Sequence, residues 1–178
     1  MRYAAFVRGI NVGGHKLVAM ADLAAAFSSA GASNVKTYSV TGNVVFDAQR
    51  RSIDRLAQDL GSALQRRLKL ETLVMVRTAE ALEMAVRLNP FATEKAGSGK
   101  QYVSFLASEP AAALRVPQLS PAGNVKLVAV LGRELFSLGW TVGSKIGFPN
   151  EFVEKTTALA ATTRTFAVAT KVLALCSK

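Results

Sequence analysis

Three stretches of this chain place cations beside small or hydroxyl-bearing residues, a combination suited to holding an anion. The first is RGINVGGHK, residues 8–16, which follows the apolar run YAAFV and brings together Arg8, Asn11, Gly13, Gly14, His15 and Lys16. Its glycines permit turns that aim successive backbone amides at one point. Gly9 and Gly14 have the spacing of a triphosphate-binding loop, G-x-x-x-x-G-K-[ST]. The lysine, however, is displaced by one residue, and Leu17 stands where a hydroxyl must hold magnesium. Glycines at 9, 13 and 14 also miss the dinucleotide pattern G-x-G-x-x-G. The second stretch, VGSKIG at 142–147, adds Ser144 and Lys145. The third, TTRTFAVATK at 162–171, sets Thr162, Thr163 and Arg164 at an expected helix start, with Lys171 further along. Free amides, the positive end of the helix dipole, two hydroxyls and a guanidinium together suit an anion.

No one of these segments suffices by itself, so the expectation is a composite anion site. Arg8 and Lys16 would face the Thr162–Arg164 helix start, with Gly13, Gly14 and Asn43 shaping the wall and Lys145 and Lys171 adding charge. His15 is the only histidine and the one candidate for acid–base catalysis. Cys176 is the only cysteine and is placed on an inward helix face, which argues against a Cys–His pair. One histidine, one cysteine and scattered carboxylates give no set with metal-ligand spacing, and no cofactor is implied. Glu151 and Glu154 lie one helical turn apart and read as a solvated face.

Composition frames these motifs. Of 178 residues, half are apolar and 19% are charged, a globular balance. Lys plus Arg number 22 against 12 Asp plus Glu, and the excess of +10 is divided evenly about Asn89. Such a charge favours anionic partners: nucleic acid, nucleotides or acidic surfaces. A single cysteine precludes a disulfide framework within one chain and fits a reducing compartment. The apolar run before Arg8 is too short for a signal peptide. No apolar run reaches the ~20 residues that span a bilayer. The expectation is a cytoplasmic protein without a membrane partner.

Periodicity supplies the elements that must position the site. A buried strand over 2–8 leads into a helix at MADLAAAFSSAG, with Leu23, Phe27 and Ala30 inward and Gly31 as its stop. NVKTYSV and NVVFD read as a hairpin turning at Thr41-Gly42. A helix follows from Ser52 as N-cap, with Ile53, Leu56, Leu60, Leu64 and Leu68 on one face. ETLVMVR completes a β-α-β-β-α-β order, the ferredoxin-like split unit. A short helix over 79–88 is ended by Asn89-Pro90, and the polar run FATEKAGSGK marks the boundary. QYVSFLA is then a strand, PAAALRV a helical turn, and NVKLVAVL and ELFSLGW a hairpin about Gly132-Arg133. NEFVEKTTALA is a helix capped by Asn150, and TRTFAVATKVLAL is a last helix. The fold class is α+β, with two ferredoxin-like halves at 1–89 and 90–178, each a small sheet with helices on one face. Tyr3, Tyr38, Phe46, Tyr102, Phe105 and Phe136 fall on strands and read as core, and none fits the base-stacking pattern of RNA-binding sheets. Arg66, Arg67 and Lys69 make a basic helix end that suits the dipole.

RGINVGG, then MADL opening a helix, then VKTYSVTGNVVF, resemble the domain-of-unknown-function 1697 family. NPF at 89–91, YVSFL at 102–106, SK at 144–145 and TTRTFAVATKVLAL at 162–175 extend the likeness over nearly the whole chain. The resemblance implies a bacterial α+β protein of two related halves and brings no established activity or catalytic residues. Thr41 replaces the family's usual serine before Gly42-Asn43. Thr165-Phe166 follow Arg164 where the family usually has Asn-Trp, which alters any site built on that pair. The leading functional expectation is binding of a phosphate-bearing ligand, nucleic acid ahead of a free nucleotide. The alternatives are an enzyme acting on a small phosphorylated or carboxylated metabolite through His15, and a protein-interaction module without a small ligand.

Overall fold

The run YAAFV belongs to β1 (Arg2–Val7), a strand buried on both faces, and this is why it reads as continuous rather than alternating. It was traced in a computed structural model that describes residues 1–13, 17–95 and 99–177. The chain is an α+β protein that divides into two compact units, Met1–Glu83 with Lys171–Lys178, and Met84–Thr170.

In the first unit β1 is followed by α1 (Met20–Ser29), β2 (Ser33–Tyr38), β3 (Asn43–Asp47), α2 (Ile53–Leu68) and β4 (Val74–Thr78). The strands pair antiparallel in the order β2-β3-β1-β4, with Tyr3 opposite both Phe46 and Thr78. One face carries Tyr3, Ala5, Val7, Val44, Phe46, Val74 and Val76, and the helices close over it with Leu23, Phe27, Leu56, Leu60 and Leu64. Fully burying each of those leucines contributes about 1.5–3 kcal/mol. Phe46 stacks on Tyr3 and meets Phe27 edge-on. Gly31 (φ 88) ends α1 as expected, its N–H donating to the Ser28 carbonyl. Ser52 stands at the N-cap of α2, but its side chain makes no capping bond. The β2–β3 connection is a four-residue loop, longer than a tight hairpin. At Gly42 (φ 76) a Cβ would press within 2.7 Å of the Ile10 side chain and 2.9 Å of Val7, so glycine is required there.

α3 (Ala79–Leu88) begins with the Ala81 N–H on Thr78 Oγ1 and ends before Asn89-Pro90, where a single 3-10 turn follows (Pro90–Thr93). The second unit has β5 (Lys100–Leu106), β6 (Gln118–Leu119), β7 (Val125–Leu131), β8 (Glu134–Gly139), a two-stranded hairpin of β9 (Thr141–Val142) and β10 (Lys145–Ile146), α4 (Asn150–Thr157) and β11 (Ala161–Thr165); α5 (Phe166–Cys176) begins in it and passes into the first unit at Lys171. Its five-stranded sheet runs β11-β5-β8-β7-β6, antiparallel throughout. The two-residue Gly132-Arg133 turn joins β7 to β8 as expected. Leu106, Leu127, Leu135 and Ala161 pack under Val153 of α4.

Two expectations are corrected here. PAAALRV forms no helix, so this unit does not repeat the β-α-β-β-α order of the first. Pro110 and Pro117 bound the segment, leaving too few residues to offset the cost of helix nucleation, and Pro117 disfavours helix at Val116. Asn150 does not cap α4. It is the first helical residue, after Pro149, and its Oδ1 accepts a bond from Thr163 Oγ1 (2.9 Å).

Candidate functional site

The glycine loop is tied down at the end of the first unit's sheet. The Arg8 N–H donates to the Leu73 carbonyl (3.0 Å), and Thr72 Oγ1 donates to the Arg8 carbonyl (2.6 Å). Gly9, Asn11 and Gly13 all adopt left-handed backbone, with φ of 61, 54 and 60. The Asn11 amide clips the loop shut. Its Nδ2 donates to the Val18 and Val40 carbonyls (3.0 and 2.7 Å), and its Oδ1 accepts from the Val18 N–H (2.8 Å). Buried Asn43 does the same for the β2–β3 loop, with Nδ2 donating to the Tyr38 carbonyl and Thr41 Oγ1. Asn11 and Asn43 therefore hold backbone in place. Arg8 is the cation of this loop among the described residues; Gly14, His15 and Lys16 lie outside them.

The Thr162–Arg164 segment needs the largest correction. It is no helix start. It lies within β11, with Thr162, Thr163 and Arg164 opposite Phe105, Ser104 and Val103 of β5. β-branched side chains favour a pleated strand, which outweighs capping at Thr162 and Thr163, while Thr165 Oγ1 accepts the Val168 N–H (3.3 Å) at the start of α5. Thr162, Thr163 and Arg164 are all buried. Thr163 Oγ1 meets Ser104 Oγ at 2.7 Å. Arg164 Nη1 donates to Thr162 Oγ1 (2.8 Å) and to the Thr163 carbonyl (2.9 Å). Burial lowers its pKa to about 10, so it stays charged at neutral pH. The helix start lies two residues later, at Phe166 of α5, so Thr162–Arg164 do not themselves present helix-end amides. Ser144 and Lys145 are exposed on the β9–β10 hairpin, and Lys171 is exposed on α5.

Sequence reasoning missed most of a surface on α2. From residue 50 to 69 there are six Lys or Arg and two carboxylates. Arg50, Arg51, Arg55, Arg66, Arg67 and Lys69 are all exposed. Asp59 pairs with Arg51 (2.9 Å) and with Arg55 (3.3 Å). Arg50, Arg66, Arg67 and Lys69 form no ion pair among the described residues. The helix dipole accounts for cations at its C-terminal end only; Arg50, Arg51 and Arg55 crowd the positive N-terminal end, where a cation is disfavoured. Arginine flanking both ends of one helix was the available signal.

The family model for a protein of unknown function, DUF1697, matches residues 1–136. The chain belongs to this family. Its fold is similar to that of the conserved bacterial protein SP0830 from Streptococcus pneumoniae, at a TM-score of 0.64 and 20% identity over 98% of each chain. No curated protein matches it. Within this DUF1697 chain, the matched residues include the glycine loop and all of α2, whereas Ser144, Lys145, β11 and Lys171 lie beyond them.

A groove of about 500 Å³ in the first unit is lined by Arg2, Asn34, Lys36, Asp47 and Cys176. Its polar groups bond to one another. Arg2 pairs with Asp47 (3.2 Å) and donates to the Leu175 carbonyl at the end of α5, and Asn34 Nδ2 donates to Asp47 (2.8 Å). Burial raises the Cys176 thiol above its ordinary value, the opposite of what a nucleophile needs. Among the described residues no three His, Cys, Asp or Glu side chains converge as metal ligands, and no helix is long and apolar enough to cross a membrane.

Proposed function

We propose that this DUF1697 chain binds a phosphate-bearing polyanion, nucleic acid rather than a free nucleotide, through the basic face of α2. The observation that carries the reading is the set of six exposed Arg and Lys at both ends of that helix, four of which, Arg50, Arg66, Arg67 and Lys69, lack a carboxylate partner among the described residues. Arg55 and Arg66 are eleven residues apart, about 16 Å along the axis at the α-helical rise. Duplex nucleic acid presents about ten phosphate charges over that length. Guanidinium groups spread over that length suit an extended phosphate chain better than a compact nucleotide, which needs an enclosing cleft.

The test is binding of a labelled mixed-sequence oligonucleotide, followed by fluorescence anisotropy across a salt series. Each neutralised phosphate contributes about −0.9 to the slope of log affinity against log salt for a duplex. The double variant R66A/R67A is expected to flatten the slope by up to about 1.8 and to weaken all sequences alike. Absence of binding at low salt, or a slope that the double variant leaves unchanged, rejects the α2 interface.

A further inference from the structure

The hairpin of β9 and β10 in the second unit carries side chains that a folded chain normally hides. Ile146 is 76% exposed, Phe148 53% and Val142 44%. This projection is not slack. A Cβ on Gly139 would overlap the Gly147 carbonyl, and one on Gly147 would overlap the Asn124 carbonyl and the Trp140 backbone. Both positions therefore admit glycine alone, and they clamp the base of the hairpin against the sheet. The Trp140 N–H donates to the Asn124 carbonyl (3.0 Å), and the Gly147 N–H to the Trp140 carbonyl (2.9 Å). Phe148 leaves this clamp with its ring set against Tyr102, centroids 5.7 Å apart and planes at 85°. Lys100 holds its ammonium 5.7 Å from the centroid of the same Tyr102 ring. Lys145, opposite Val142 in the hairpin register, is exposed.

We infer that Phe148, with Lys145 on the same hairpin and Lys100 on the Tyr102 ring it packs against, is a stacking platform for an unpaired base, so that the ligand of this protein includes single-stranded nucleic acid. The inference rests on the nucleic-acid reading above but uses a different surface. Two ammonium groups select an anion, and an exposed, rigidly held aromatic ring selects a flat π-face. A ligand that alternates phosphates with bases satisfies both, provided the base faces are not already stacked within a duplex. An acidic peptide satisfies the lysines and leaves the ring without a partner.

The experiment compares the full chain with Phe148→Ala and Phe148→Leu. Leucine keeps apolar bulk against Tyr102 and lacks the aromatic face, and thermal melts of both variants establish that they fold. Anisotropy is read with three probes of equal length: an oligothymidylate, an abasic strand with the same phosphates, and a duplex. The expected result is that the wild type prefers the oligothymidylate to the abasic strand. Both variants lose about tenfold or more on the oligothymidylate, the range of one aromatic–base stack, while abasic and duplex binding stay unchanged. Equal wild-type affinity for the thymidylate and abasic strands overturns the platform, as does retained thymidylate affinity in Phe148→Leu. Either result leaves the α2 reading intact if duplex binding keeps its R66A/R67A-sensitive salt slope. A dimer that Phe148→Leu converts to monomer in light scattering also overturns it, assigning the patch to a second copy. Failure of all three probes at low salt removes both readings.

Discussion

In the unit built on β1, the space between sheet and helices is filled by Tyr3, Phe27, Phe46, Leu56, Leu60 and Leu64. In the other unit, the strand register puts Ser104, Ser137 and Thr163 on the sheet face that also carries Leu106, Leu135 and Ala161, the residues beneath α4. Ser104 and Thr163 are satisfied by each other and by Asn150; Ser137 Oγ is buried with no hydrogen-bond partner among the described residues. The exposed surfaces differ in the opposite sense. The first unit sets charge on α2, and the second sets apolar side chains on a glycine-clamped hairpin. An apolar core tolerates a charged exterior and needs little directional bonding. A core with hydroxyls depends on each finding its partner, because an unmet one costs its desolvation.

The comparison breaks first at Phe46. Phe46→Ala should destabilise the protein by about 3–5 kcal/mol, the range for emptying a buried aromatic site. A loss below 1 kcal/mol in denaturant melts means the first unit does not rely on its apolar packing. Next in size is Gly147→Ala, expected at or above the upper end of the roughly 1–3 kcal/mol cost of overpacking, because backbone rather than flexible side chains must move. Gly9→Ala is its control. No atom lies within 4 Å of a Cβ there, so only the left-handed backbone cost of about 1–2 kcal/mol remains. Equal effects on thermal melts erase the claim that the hairpin is clamped.

Thr163→Val sharpens the polar side of the comparison. It deprives Ser104 and Asn150 of a buried partner and should cost about 1–3 kcal/mol. Ser137→Ala removes a hydroxyl that bonds to nothing among the described residues, and its stability should be unchanged or up by as much as about 1 kcal/mol. If Ser137→Ala costs as much as Thr163→Val, the distinction between satisfied and orphaned hydroxyls fails. The smallest effect concerns Cys176 in the first unit. With its thiol pKa raised by burial, less thiolate is present at neutral pH, so alkylation should be slower than for an unperturbed thiol and should accelerate as pH rises. An alkylation rate equal to that of a free cysteine peptide contradicts that placement.

Much of the fold was legible from residue order. The leucine spacing of α2, the glycine stop of α1, the β-α-β-β-α-β order of the first unit and the Gly132-Arg133 turn are local properties of the chain, written in 3.6-residue or two-residue periods and in turn chemistry. The charge excess was equally plain, since it is a count. Tertiary structure alone decided the rest. Thr162 to Arg164 carry both capping and β-branched preferences, and pairing with β5 selects the strand. Asn11 and Asn43 look like ligand donors until the carbonyls they hold, distant in sequence, come within reach. Arg50, Arg66 and Arg67 gain meaning from having no carboxylate partner among the described residues, a fact of three-dimensional neighbourhood. Gly139 reads as an ordinary strand residue and Gly147 as an ordinary loop residue, because only the folded chain brings their backbones into contact with each other and with Asn124. Local preference is a property of neighbours in sequence, whereas function at this surface depends on which groups packing leaves exposed and which it pairs.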